Sequence, residues 1–143
     1  NEYRGERSVQ MNILDIRPSC AAPCPMDTFR YRALRTGRLT PQAAAKLLPD
    51  RATLACVWRY LAAVPGGSLQ ESPLCLCRKI VRRSGTELSL EQLLTCLDIF
   101  RDVGLLEEKR IHLTVAIRLR TVSGKADLTK SETMQTLLRA KES

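Results

Sequence analysis

The strongest pattern in the chain is an apolar stripe between Ser89 and Gly104. Its members recur at the spacing of one helix face, and they are Leu90, Leu93, Leu94, Leu97 and Phe100. The Ser89 hydroxyl can cap the first turn, and Gly104 is a typical residue to end a helix. The stripe therefore predicts a core helix over residues 89–103.

Two further helices are predicted before this one. From Arg51, an apolar face formed by Leu54, Val57, Trp58 and Leu61 indicates a buried helix. Ser72 followed by Pro73 begins another, which ends before Gly85. Shorter helices are predicted over residues 26–36, 42–48 and 130–140.

Two short strands follow the third long helix, the first ending around His112 and the second running through Val115, Ile117 and Leu119. Among the 143 residues, 44% are hydrophobic and only 4% aromatic, a composition that favours packed helices. We therefore expect a mainly α fold with a small β part (α+β). The order of elements predicts a winged-helix-like three-helix core with a β-hairpin wing, within a domain over residues 26–143.

The first residues suggest a different origin. Gly5 punctuates a polar run, and Val9, Met11 and Ile13 then alternate with polar residues, which predicts a β-hairpin over residues 1–17. Residues 18–25 contain three prolines and are predicted to be a linker. Because the chain starts without Met and inside this hairpin, we expect a severed piece of a longer protein, whose open strand edge could drive dimerisation.

Six cysteines are expected to be free thiols in a reducing, cytoplasmic compartment; they are Cys20, Cys24, Cys56, Cys75, Cys77 and Cys96. Structural zinc is a minor alternative, because the close pairs lack the usual ligand spacing on both sides. The sequence contains no apolar run of about 20 residues, so we expect no membrane partner.

Catalytic patterns are missing from the sequence. His112 is the one histidine and has no recognisable partner for nucleophilic catalysis, and the Gly66–Gly67 pair lacks the lysine of a phosphate-binding loop. We therefore expect neither catalytic residues nor metal ligands nor a cofactor in this chain.

The net charge of +8 makes an anionic partner plausible, and the charges are segregated. Residues 71–83 carry four basic groups against one acidic group, and residues 109–125 carry five against none. Residues 87–108 instead carry six acidic groups against Arg101 alone. An acidic third helix disfavours reading of a duplex groove, and it also disfavours a free-standing winged-helix transcription regulator.

We predict a binding surface for phosphates or for an acidic protein segment on the second helix and the wing. Its residues are Arg78, Lys79, Arg82, Arg83, Lys109, Arg110, Arg118 and Arg120. The competing interpretation is a solvated surface whose charges are partly paired. Trp58 is expected in the core, so few aromatic residues remain for stacking bases, and a protein partner is a serious alternative.

Two stretches resemble RecJ-type single-stranded-DNA exonucleases. The opening, NEYRGERSVQMNILDIRPS, is similar to the last hairpin of their OB-fold domain, with matches at Gly5, Gln10, Asp15, Ile16, Arg17 and Pro18. The stretches LTCLDIFRDVGLLE and KADLTKSETMQTLL resemble the extra carboxy-terminal domain of the Gram-positive enzymes.

The resemblance implies a parent enzyme of DNA repair and recombination that degrades single-stranded DNA from its 5′ end. Such enzymes hold two divalent metal ions, Mg or Mn, with aspartates and a DHH motif, which this chain lacks. We therefore expect an accessory domain that helps to hold single-stranded DNA or docks single-strand-binding protein. The alternative is a structural or protein-interaction domain, packed on the rest of the exonuclease, with no nucleic-acid contact.

Overall fold

The protein is described by a computed structural model over residues 39–142. The elements in chain order are α1 (Pro41–Leu47), α2 (Arg51–Ala62), β1 (Ser68–Glu71), α3 (Pro73–Ser84), α4 (Leu90–Asp102), β2 (Leu106–Ile111), β3 (Thr114–Leu119) and α5 (Glu132–Glu142). Short 3-10 turns occupy Pro65–Gly67 and Leu128–Lys130. This mixture of helices and a small sheet confirms the α+β class. The predicted hairpin, linker and first short helix lie outside the described residues.

Helices α1 to α4 begin where the sequence predicted. Each is preceded by a short polar residue whose side-chain oxygen accepts a backbone N–H three residues later: Thr40 from Ala43, Asp50 from Thr53, Ser72 from Cys75 and Ser89 from Gln92. The Gln92 side chain in turn accepts the backbone N–H of Ser89, which completes a capping box. Local sequence thus determines the helix starts.

Strand β1 was missed in the sequence. It has four residues, and it pairs antiparallel with β3 through positions such as Leu69 opposite Ile117. The strands are ordered β1-β3-β2. Because β1 is short and its partner lies far along the chain, its stability comes from long-range pairing that local alternation does not reveal.

The two strands after α4 are confirmed, with a tight turn between them. The first ends at Ile111, and His112 adopts φ 56°, in the left-handed region, before β3 begins at Thr114. The Thr114 hydroxyl donates to the Ile111 carbonyl (2.8 Å) and accepts from the Gln70 amide (3.2 Å). One side chain therefore closes the turn and ties it to β1.

Helix α4 lies at the centre of the described fold. The predicted stripe covered one face, yet all eight residues from 93 to 100 are buried. Contacts come from α2, α3 and β2, and also from α1 and α5, which pair with each other through a small cluster of Ala44, Leu47 and Leu137. Trp58 of α2 meets Phe100 edge to face at 5.3 Å. The middle of α4 is therefore enclosed by its neighbours, while its first and last turns remain partly accessible.

The start of α5 is fastened to the end of α4. Asp102 accepts the Ser131 hydroxyl (2.8 Å) and the Thr133 backbone N–H (3.0 Å), while the buried Ser131 oxygen accepts the Met134 N–H (3.1 Å). Partial burial would raise the pKa of Asp102, but these hydrogen bonds and Arg101 outweigh it and lower the pKa. The ionised carboxylate therefore stabilises the docked helix.

Replacing Asp102 by Ala should lower the free energy of unfolding by about 1–2 kcal/mol at pH 7, because two donors lose a charged acceptor. A folded-state pKa below the ordinary 3.8 means that the ionic contribution is present above that pH and is lost as the pH falls through the lower folded value. The difference in unfolding free energy between the variant and the wild type, measured by urea titration, should therefore become smaller below about pH 4. Glu142→Ala is the control, and an equal loss in both variants would contradict this role.

Candidate functional site

Helix α3 presents a basic surface to solvent. Its inner side is formed by Leu76, Cys77 and Ile80, which are buried. Two outer rows at four-residue spacing are exposed, the first containing Leu74, Arg78 and Arg82, and the second containing Cys75, Lys79 and Arg83. We call Arg78, Lys79, Arg82 and Arg83 the α3 basic face; the structure brings all four predicted cations of this helix together.

Glu71 is the one acidic group paired with this face among the described residues. It lies at the end of β1 and forms an ion pair with Lys79 at 2.8 Å, and this hydrogen bond is the main cause that raises the pKa of Lys79. Within the described part of the chain, Arg78, Arg82 and Arg83 form no ion pair. Four cations against one carboxylate leave a net charge of +3 on one side of a single helix.

The wing cations are more strongly compensated. Arg118 and Arg120 both approach the Glu107 carboxylate, at 3.2 and 3.4 Å, on an exposed surface. Exposed pairs of this kind contribute only about 0–1 kcal/mol, so they can open for a partner. Lys109 is exposed and has no ion pair among residues 39–142. Three of the predicted wing residues are thus accessible, with one carboxylate among them.

Arg110 has a structural position instead. Its guanidinium contacts Asp98 of α4 (2.9 Å) and Glu108 of β2, and Arg101 contacts the same two carboxylates at 3.2 and 3.3 Å. The Asp98 residue is only 4% exposed, and the Glu108 side chain is fully buried. This ionic cluster joins the central helix to the wing, so the charge of Arg110 is used internally.

The acidic residues of the third helix therefore have a different role from the one expected. We expected them to repel a phosphate backbone in a groove. In the structure Asp98 lies in the ionic cluster and Asp102 holds α5, while α1 and α5 cover the helix. Two carboxylates of α4 thus have structural partners, and the helix is largely covered by its neighbours.

Replacing Arg110 by Met should destabilise the protein by about 3 kcal/mol, because it leaves two buried carboxylates without their main counter-charge. Lys109→Met is the matched control, since it removes a cation from the adjacent, exposed position and should change the unfolding free energy by less than about 0.5 kcal/mol. Urea unfolding followed by circular dichroism measures both. Equal effects would show that the cluster is not a structural requirement.

The four described cysteines are free thiols, three of them buried. Cys77 is buried in the core and its thiol donates to the Leu88 carbonyl (3.1 Å), whereas Cys75 is exposed. Partial burial, followed by the neighbouring Glu71, raises the pKa of Cys75, so it stays protonated near neutral pH. Among residues 39–142, no three His, Cys, Asp or Glu side chains lie in a metal-binding group.

Two concave surfaces adjoin α2. A groove of about 320 Å³ separates the last turns of α2 and α3, with Arg59 and Arg83 among its lining residues. A larger, mainly apolar cavity of about 630 Å³ lies between α2, α5 and the segment before α5. Arg59 was not predicted from the sequence, because only the packing of α2 on α3 places it in the same groove as Arg83.

Comparison with known proteins found no matching family model, no matching curated protein and no matching solved structure. The resemblance to RecJ-type exonucleases thus stays a prediction from the sequence. None of the helices within residues 39–142 is both long enough and apolar enough to cross a bilayer.

Proposed function

We propose that this chain is a carboxy-terminal accessory domain of a RecJ-like single-stranded-DNA 5′-exonuclease, and that it holds single-stranded DNA without cleaving it. Cleavage would belong to the catalytic core of the parent enzyme, with its divalent metal ions. The observation that carries the proposal is the α3 basic face, with three exposed guanidinium groups that form no ion pair in the described chain.

The fold supports a winged-helix-like interpretation. The order α2, β1, α3, α4, β2, β3 with a β1-β3-β2 sheet is that of a winged-helix domain, in which α4 would be the recognition helix. Here α1 and α5 are added around it, and α4 is enclosed. A domain of this kind is suited to contact backbone phosphates from α3 rather than to read bases from α4.

Electrostatics favours a flexible anionic polymer as the ligand. Arg78 and Arg82 are four residues apart, so their backbone positions lie about one turn, or roughly 6 Å, from each other along the helix axis. That spacing is close to the separation of successive phosphates in an extended strand. Each neutralised phosphate of a single strand releases counterions and contributes about 0.7 to the salt dependence of binding.

A protein partner is the second candidate, and the apolar cavity favours it. Leu54, Trp58, Met134 and Leu138 line this cavity, and its charged lining residues are Arg51, Arg59 and Asp127. Such a surface suits an apolar anchor flanked by carboxylates, as in an acidic tail. In this alternative, the domain would dock a repair partner such as single-strand-binding protein, or pack on the parent exonuclease, and would not bind DNA.

The test is fluorescence anisotropy of a labelled 15-nucleotide oligo(dT) titrated with the 143-residue protein at 50 and 200 mM salt. Changing Arg78, Arg82 and Arg83 to Gln should weaken binding about tenfold or more at low salt. It should also reduce the slope of log affinity against log salt by about 2, from three contacts at about 0.7 each.

The matched control is a triple variant with Lys46, Lys130 and Lys141 changed to Gln, which removes the same charge from exposed positions away from α3. An equal loss in this control would show that only net charge matters. Absence of binding by the wild-type protein at low salt would contradict DNA holding and favour the protein-partner alternative.

A further inference from the structure

The groove between the last turns of α2 and α3 is lined by two arginines from different helices. They are Arg59 and Arg83, and no acidic residue is among the lining residues. Neither arginine forms an ion pair with any described residue. Two cations at one groove favour an anionic ligand, because an anion would reduce the repulsion between them.

The rest of the lining is not that of a simple anion site. Cys56, Ala63 and Ile80 give it an apolar wall, and the half-buried Tyr60 adds an aromatic ring. The groove also lies at the carboxyl ends of two helices, whose partial negative charge weakens the binding of a bare anion. A ligand with an anionic part and a flat apolar part fits this combination better.

The polar rim is ordered on one side and open on the other. The Ser84 hydroxyl donates to the Ile80 carbonyl (2.7 Å) and accepts the Thr86 N–H (3.1 Å). Within the described chain, the hydroxyls of Tyr60 and Thr86 form no hydrogen bond. Both residues line the groove, and Tyr60 also packs against the hydrophobic core.

We propose that this groove binds one nucleotide unit of a single-stranded nucleic acid, with Arg59 and Arg83 on its phosphate and Tyr60 stacked on its base. The inference rests on the proposed function and names the site at which a base, rather than the backbone alone, is held. Its volume of about 320 Å³ suits a nucleotide, and Arg83 belongs to both the groove and the α3 basic face. A strand lying along α3 thus enters the groove directly.

The experiment compares a labelled 15-nucleotide oligo(dT) with a fully abasic strand of the same length and charge. Tyr60→Leu removes the stacking ring and should weaken oligo(dT) binding about tenfold while leaving the abasic strand unchanged. Tyr60→Phe retains the ring and should bind both strands nearly as the wild type does. Thermal unfolding of each variant establishes that it is folded.

Arg59→Gln should weaken the binding of both strands to a similar degree. It should also reduce the slope of log affinity against log salt by about 0.7. Arg51→Gln is the control, because Arg51 is an exposed cation of the same helix that does not line the groove. As competitors, thymidine monophosphate should displace oligo(dT) at lower concentrations than inorganic phosphate does.

The outcomes separate this inference from the proposed function. Binding that still depends on Arg78 and Arg82 but is unchanged in Tyr60→Leu and Arg59→Gln would overturn the nucleotide groove alone. Inorganic phosphate that competes as well as the nucleotide would also overturn it, leaving a simple anion site. A wild-type protein that binds neither strand would overturn both proposals.

Discussion

Asp98 lies almost fully buried on the central helix, and its charge is balanced by Arg110 from the wing and Arg101 from the next helical turn. Burying a carboxylate without such partners would cost several kcal/mol, so the helix and the wing hold one relative position. Asp102, one turn later, fastens α5 over the same helix through Ser131 and Thr133. The two aspartates therefore link the wing and α5 to the central helix.

Some charged residues of this protein are paired within the fold, and others are exposed to solvent. The buried carboxylates of Asp98 and Glu108 are matched to Arg101 and Arg110, whereas the four cations on the exposed side of α3 are paired only with the single carboxylate of Glu71 among the described residues. Helix α4 is largely covered by α1 and α5, and the exposed arginines of α3 form no ion pair among the described residues. This arrangement supports the proposal that α3 binds a phosphate backbone.

Much of the fold could be predicted because its signals are local. Ser89 and Ser72 cap their helices at the predicted starts, and the apolar stripe of α4 marks the core. The α3 basic face could be found in the same way, from four cations at helical spacing. The fold class and the four α3 cations of the predicted binding surface could thus be predicted from patterns that each span about a dozen residues.

The remainder depends on contacts between distant segments. Strand β1 exists through its pairing with β3, and Arg110 differs from Lys109 only because Asp98, twelve residues earlier, approaches it across the fold. Arg59 joins Arg83 because α2 packs on α3, which no local pattern reveals. The sequence shows which residues are charged, but only the tertiary structure shows which of them are paired. Composition alone therefore overestimates the accessible basic surface.

The most direct test of phosphate-backbone binding by α3 is an amide chemical-shift titration of the isotope-labelled protein with oligo(dT) at low salt. We expect shifts concentrated on α3 and the end of α2, with the amides of α4 and α5 unchanged. Shifts concentrated on α5 and the apolar cavity, or no shifts at all, would contradict it.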